Sequence, residues 1–339
     1  MKNNIQEYFS EETLIFRERR LPEIATPIGY AALIEIYKLR VPLPMMLRAI
    51  GGHHKTYKKE NWEILTPRHC PESSLEGHLV FALKHEGVDL GVLKKLFEEV
   101  SPTKIEGMVS AKPTSTYTRK IWFLYEWLLG KQLNLSNALA GSYVDLIDTQ
   151  KQYAIAGKIS SRHRIRNNLP GSPEFCPLVF KTEKIETFIG RDLSLKAKES
   201  MGNISQDILA RTAAFLLLKD SKSSYAIEGE STAHTRIQGW GKAIGEAGKQ
   251  PLDLDELLRL QKIVIGDARF IELGLRKEEG FIGEHEQTTR LPLPDHISAR
   301  AEDLKSLIDN MIGFYKNSLG EIDPVILAAI IAFSFVYIH

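Results

Sequence analysis

Cysteine is nearly absent from this chain: Cys70 and Cys176 are the only two in 339 residues. Thiols so far apart in sequence make neither a disulfide framework nor a metal cluster, so both are expected as reduced structural thiols. Net charge is nearly absent as well. Lys+Arg 44 against Asp+Glu 43 leaves +1, which excludes a global field drawing the chain onto nucleic acid or an anionic membrane and leaves only local patches for that purpose. An export signal is also lacking. The start, "MKNNIQEYFSEETLIFRERR", mixes acids with bases and has no apolar core, so a cytoplasmic location is expected. Internal repeats and low-complexity tracts are missing too. Finally, there is no long hydrophobic run. The charge-free stretch Val325 to Ile338 falls short of the roughly 20 residues that cross a bilayer, and it reads as a buried core helix. Ala328, Ala329 and Ala332 would admit a close neighbour there, and Phe333, Phe335 and Tyr337 would fill the remaining space.

What the chain does have is substance for a core, with 43% hydrophobic and 26% charged residues, enough for two or three domains. The expected class is mainly α. "ATPIGYAALIEIYKLRVPLPMMLRAI" predicts two short helices separated by a turn at Pro42 and Pro44. "SSLEGHLVFALKHEGVDLGVLKKLFEEV" predicts two more, with Ser74 at the first start and Gly87 as a break. A small helical domain over 1–110 follows from these. "TSTYTRKIWFLYEWLLGKQLNL" is a stronger helix: Trp122 and Glu126 lie one turn apart, as do Tyr125 and Leu129, and Gly130 supplies the stop. Its aromatic stripe suits a core better than base stacking. It opens a helical, loop-rich extension over 111–202. Within that extension "GKISSRHRIRNNLPGSPEFCPL" alternates Arg162, Arg164 and Arg166, a run that grips phosphates or a peptide's acidic groups in one reading and forms a solvated loop in the other. From 203 onward helices dominate again. "SQDILARTAAFLLLKDSKSSYAIEGEST" is amphipathic with Ser205 as its cap, "PLDLDELLRLQKIVIG" is another helix, and "ELGLRKEEGFIGEHEQTTRLPLP" suits a short hairpin or exposed flap. Asp323 and Pro324 then cap and open the last helix.

Two of these segments carry a family resemblance. "AAIIAFSFVYIH" resembles the helix that leads into the active-site loop of the Fic family. "SSYAIEG" is similar to that family's inhibitory signature, with Ser224, Glu228 and Gly229 at its defined positions. Between them "GLRKEEGFIG", followed by a proline-bearing stretch, resembles the family's flap. The likeness covers residues 203–339 and reaches more loosely into the helical extension upstream. It implies a mainly α Fic core with a short β-hairpin flap, cut off at the first residue of the Fic motif.

The resemblance also implies a chemistry. Fic proteins transfer AMP from ATP, with Mg2+, to a Ser, Thr or Tyr hydroxyl of a protein. His339 would be the catalytic base, and an imidazole with a reference pKa near 6.5 suits that duty. Glu228 would pair with the motif arginine and misplace ATP. Gly280, Phe281, Ile282 and Gly283 would dock the target by backbone pairing. The acidic residue that holds magnesium, the Gly-Asn-Gly turn and the arginine are not among these 339 residues, so ATP and Mg2+ are expected for an intact family member, neither is expected to bind productively to this chain, and the chain is expected to be inactive. Its expected partner is a protein with a reactive hydroxyl, with self-modification in an extended form and a homo-oligomer as further expectations. The rival classes are a non-catalytic helical regulator or nucleic-acid binder using Arg162, Arg164 and Arg166, and a metal enzyme using His53 and His54 with His69 or Cys70. Adjacent histidines in a Lys-rich loop lack a definite ligand geometry, so no metal site is expected.

Overall fold

Alternation of buried and exposed side chains over Arg19–Ile28 makes this segment the longest strand of the first unit, where the sequence suggested only a charged start. The computed structural model describes residues 10–193, 234–265 and 273–338, together with 195, 196, 199, 208, 211–213, 215, 216, 218, 219, 222 and 223. It divides into two units, Met1–Lys181 and Thr182–His339. The described residues form a mixed α/β fold with more helix than sheet and no closed barrel.

In the first unit β1 (Thr13–Phe16), β2 (Arg19–Ile28), β3 (Leu47–Ile50), β4 (Tyr57–Lys59) and β5 (Trp62–Leu65) form one sheet in the order β1-β2-β3-β5-β4. Pairing is antiparallel except between β3 and β5. This corrects the expectation of a helical domain over 1–110. The first of the two predicted helices is present as α1 (Tyr30–Ile36), but the second is β3. Leu47 and Ala49 are buried while Arg48 and Ile50 are half-buried, a period of two that a four-residue segment after Pro42 and Pro44 satisfies as a strand.

Around this sheet pack α2 (Leu75–Phe81), which runs on as a π-helical turn over Ala82–Glu86, then α3 (Leu90–Glu99), α4 (Pro102–Ala111) and α5 (Thr116–Leu129). Ser74 caps α2 by accepting from the Gly77 N–H at 2.9 Å, the chain breaks at Gly87, and α5 ends at Gly130 in the left-handed region. The aromatic stripe of α5 is core: Trp122 is 1% exposed and Tyr125 3%. One apolar cluster runs from Phe16 through Trp62 and Trp122 to Leu169, so the boundary expected at 110 separates no cores. The arginine segment is a small sheet rather than a solvated loop. Here β6 (Val144–Asp145), β8 (Ile165–Asn167) and β7 (Lys158–Ser160) lie side by side, and Ile165 is fully buried.

The second unit contains α6 (Glu183–Ile189), α7 (His234–Glu246), α8 (Leu254–Ile265), the hairpin β9 (Phe281–His285) and β10 (Pro292–Ile297), α9 (Leu304–Ser318) and α10 (Pro324–Ile338). Asp323 caps α10 by accepting from the Val325 N–H at 2.9 Å. Burial on α10 is one-sided. Ile326, Leu327, Ile330 and Ile338 are buried, but Phe333 is 74% exposed and Tyr337 59%, so the aromatics expected to fill a core instead form an open apolar face among the described residues. No helix among the described residues is long and apolar enough to cross a membrane.

Candidate functional site

The expected hairpin forms, and its chemistry is asymmetric. Glu286 N donates to Leu291 O at 2.9 Å and Ser298 N to Gly280 O at 3.0 Å, and the register pairs Gly283 with Pro294 and His285 with Pro292. Alternation from those bonds turns the backbone of Phe281, Gly283 and His285 to the open edge of β9. On β10 the outward positions are Pro292 and Pro294, which have no N–H to offer, and Ile297 opposite Phe281, which has one. Gly283 cannot be replaced without strain: its φ is +150°, and a Cβ there would lie 2.3 Å from the Leu293 carbonyl oxygen.

The base of this hairpin is fastened to the end of α10. Arg276 donates from Nη1 to the Glu278 carbonyl at 2.8 Å, and from Nη2 to the Ala299 carbonyl and, at 3.3 Å, to the Ile338 carbonyl. A cation at the C-terminal carbonyls of a helix is favourably placed against the helix dipole. His296 of β10 packs its ring on Tyr337 with centroids 5.3 Å apart. Of the residues assigned to the site from the sequence, Gly280, Phe281, Ile282 and Gly283 therefore lie on a hairpin held beside the end of α10. His339, Ser224, Glu228 and Gly229 lie outside the described residues. Arg276 was not singled out in the sequence, although its place in "GLRKEEG" directly before the hairpin was the available signal.

In the arginine run of the first unit Arg162 and Arg164 are turned inward, whereas Arg166 stays at the surface. Arg162 bonds Glu126 through Nε at 2.9 Å and Nη2 at 2.8 Å, and the Leu133 and Leu135 carbonyls at 2.9 Å each. Arg164 places Nε, Nη1 and Nη2 on the carbonyls of Ala138, Gly141 and Leu139. Arg166 pairs with Asp145 at 2.6 Å. Glu126 is 8% exposed. Burial raises its pKa, but the hydrogen bonds from Arg162, Trp122 and Leu133 with the nearby His163 outweigh this and bring it down to about 2. Since the carboxylate only accepts, His163 donates Nε2–H to it at 3.0 Å, and its Nδ1 accepts from the Ser160 hydroxyl at 2.8 Å. The order Ser160, His163, Glu126 resembles a catalytic relay. Here the imidazole is 6% exposed and wedged between the Trp122 and Phe123 rings, 4.5 and 5.3 Å away, so it braces the fold.

The histidine-rich loop lies at the surface, and its contacts are with neighbouring side chains of the chain itself. His53 contacts Glu23 at 2.5 Å, and His69 Nδ1 contacts the Thr66 hydroxyl at 2.9 Å. Among the described residues no group of three or more His, Cys, Asp or Glu side chains is placed to hold a metal. Both cysteines are free thiols, Cys70 exposed and Cys176 with its pKa pushed up to about 12 by burial.

Comparison with family models, with characterised proteins and with solved structures returns no match.

Proposed function

We propose that residues 203–339 belong to a Fic-type protein adenylyltransferase, which moves AMP from ATP to a Ser, Thr or Tyr hydroxyl of a protein and is held back by Glu228. The observation that carries this reading is the hairpin. Its edge richer in donors, at Phe281, Gly283 and His285, is fixed by Arg276 to the last helical carbonyl before His339. A target segment pairing with β9 would need no particular side chains, and its hydroxyl would be delivered toward an imidazole at the end of α10. Support comes from the motif resemblance and from that placement alone. His339 would take the hydroxyl proton as the oxygen attacks the α-phosphate. When bound, ATP supplies the transferred group and magnesium neutralises its phosphates. The family places the residues that hold both after the histidine, so the 339 residues alone are proposed to be inactive.

The alternative of a nucleic-acid binder gains no support from the arginines. Arg162 and Arg164 already place all three side-chain nitrogens on protein oxygens, leaving few donors for phosphates.

The test is incubation with α-labelled ATP and magnesium, using residues 1–339 and the same chain extended through the codons that follow. Label is expected on the extended chain alone, increased by Glu228→Gly and abolished by His339→Ala. Robust label on residues 1–339, or none on the extended Glu228→Gly protein while it remains folded, would overturn the proposal.

A further inference from the structure

Residues 133–142 form an arch whose carbonyls point into the first unit. Those of Leu133 and Leu135 meet Arg162, those of Ala138, Leu139 and Gly141 meet Arg164, and that of Ser142 meets Arg119 at 2.8 Å. Gly141 suits the turn before that last carbonyl, because its φ is +99°, a backbone conformation that side-chain-bearing residues rarely adopt. In a trans peptide the N–H of the following residue points opposite to the carbonyl. Fixing these carbonyls inward therefore turns the N–H groups of Asn134, Ser136, Leu139 and Ala140 outward.

One of them already holds a ligand of identifiable chemistry. Asn134 N–H donates to the Glu106 carboxylate at 2.8 Å. The N–H groups of Ser136, Leu139 and Ala140 make no hydrogen bond within the described residues, and these three residues line a cavity of about 470 Å³ that no charged side chain enters. Behind the arch stand three guanidinium groups: Arg162 is paired with the Glu126 carboxylate, while Arg119 and Arg164 bond backbone carbonyls. His163 adds no charge near neutrality, because burial lowers its pKa. Burial and, after it, the neighbouring Arg164 lower the pKa of Arg119. A peptide whose carbonyl accepts from a guanidinium is polarised, which strengthens its own N–H as a donor.

We infer that the arch is a docking surface for an acidic peptide segment, carboxylates meeting the Ser136, Leu139 and Ala140 N–H groups and an apolar neighbour resting on Leu139. Leu139 is 88% exposed and gives the mouth of the cavity an apolar lip. The donors are strung along the arch, an arrangement that suits carboxylates distributed on an extended chain better than one compact anion.

The test uses the full chain and fluorescence anisotropy with a rhodamine-labelled peptide alternating Asp and Leu, its Asn counterpart, and a labelled single-stranded RNA. The acidic peptide is expected to bind about tenfold tighter than the Asn peptide, a difference of about 1.4 kcal/mol. Leu139→Asp, which sets a carboxylate at the mouth from an exposed position, should weaken it about tenfold through like-charge repulsion. Ser136→Pro, which deletes one donor, should also weaken it, and circular dichroism reports whether either variant remains folded. Equal binding of the two peptides, no binding of the acidic one, or binding that a folded Leu139→Asp leaves unchanged would overturn the inference. So would RNA binding in place of peptide that the same variant abolishes.

Discussion

Arch and hairpin are both connections that arginine holds by backbone carbonyls, and they differ in what stands behind the arginine. Under the arch, Arg162 is locked on the buried Glu126, whose other partners include Trp122 and His163. The guanidinium is thus part of a closed network, and the loop takes its shape from it. Under the hairpin, Arg276 reaches only carbonyls among the described residues, and its buried Nε has no partner there. The fastening is a clip rather than a frame. Rigid presentation of an outward donor row in one unit, and an adjustable edge beside a helix end in the other, follow from that difference.

The largest effect that would break the comparison is expected from Arg162→Ala. It strands a carboxylate that is 8% exposed, and stranding a buried charge costs about 3–5 kcal/mol. Urea unfolding followed by tryptophan fluorescence measures it, and a loss below about 1 kcal/mol would place the arch and hairpin in the same class.

Next comes the contrast between two carboxylates of the first unit, Glu126 and Glu86. Glu126 has been driven down to about 2 and Glu86 up to about 8, the latter because burial with Asp89 and Glu63 nearby outweighs Arg48 and the Tyr30 N–H. The signs are opposite. Glu126 is ionised in the native state before it is in the unfolded chain, so its contribution is present above the unfolded value near 4.5 and is lost as pH falls toward about 2. Glu86 keeps its proton in the native state while the unfolded chain has lost its own. Stability therefore declines as pH rises from about 4.5 to about 8. Glu86→Gln should flatten that decline and leave the variant about 2–4 kcal/mol more stable at mildly alkaline pH. Parallel stability curves for variant and parent between acid and alkaline pH would count against it.

Gly283→Ala should cost about 1–3 kcal/mol locally, since alanine is strained at that φ. Hydrogen exchange at the hairpin amides should accelerate while the arch amides stay unchanged. Arg276→Ala is the smallest. Loss of carbonyl bonds at a partly open site should destabilise by about 1 kcal/mol. Faster exchange confined to the hairpin base and the end of α10 is the expected signature, and uniform protection would show that Arg276 holds nothing.

What the sequence made legible was local. Ser74, Gly130, Asp323 with Pro324, and the hairpin between Gly280 and Pro294 all act within a few residues of themselves, and all are where their chemistry places them. Non-local structure was hidden. Glu126 and Arg162 stand 36 residues apart and Arg276 and Ile338 62 apart, and no spacing rule links such pairs. The alternating arginines were visible as a pattern, but the pattern is equally that of an open basic strand. Only the carbonyls of the arch, which no residue type announces, decide between them. The strand β3 was lost for a related reason: its partners β2 and β5 come from either side of it in the chain, and four residues carry too little periodicity to declare themselves.

The two prolines of β10 have a consequence for self-association. A hairpin with two open edges can pair with copies of itself without limit, each new strand exposing another edge. Here one side is blunted chemically, because Pro292 and Pro294 take two of the three paired outward positions of β10. If two hairpins meet, they meet through β9, and the pair is then bounded by proline on both flanks. Growth past two is disfavoured, because Ile297 carries the one N–H that the paired outward positions of β10 retain.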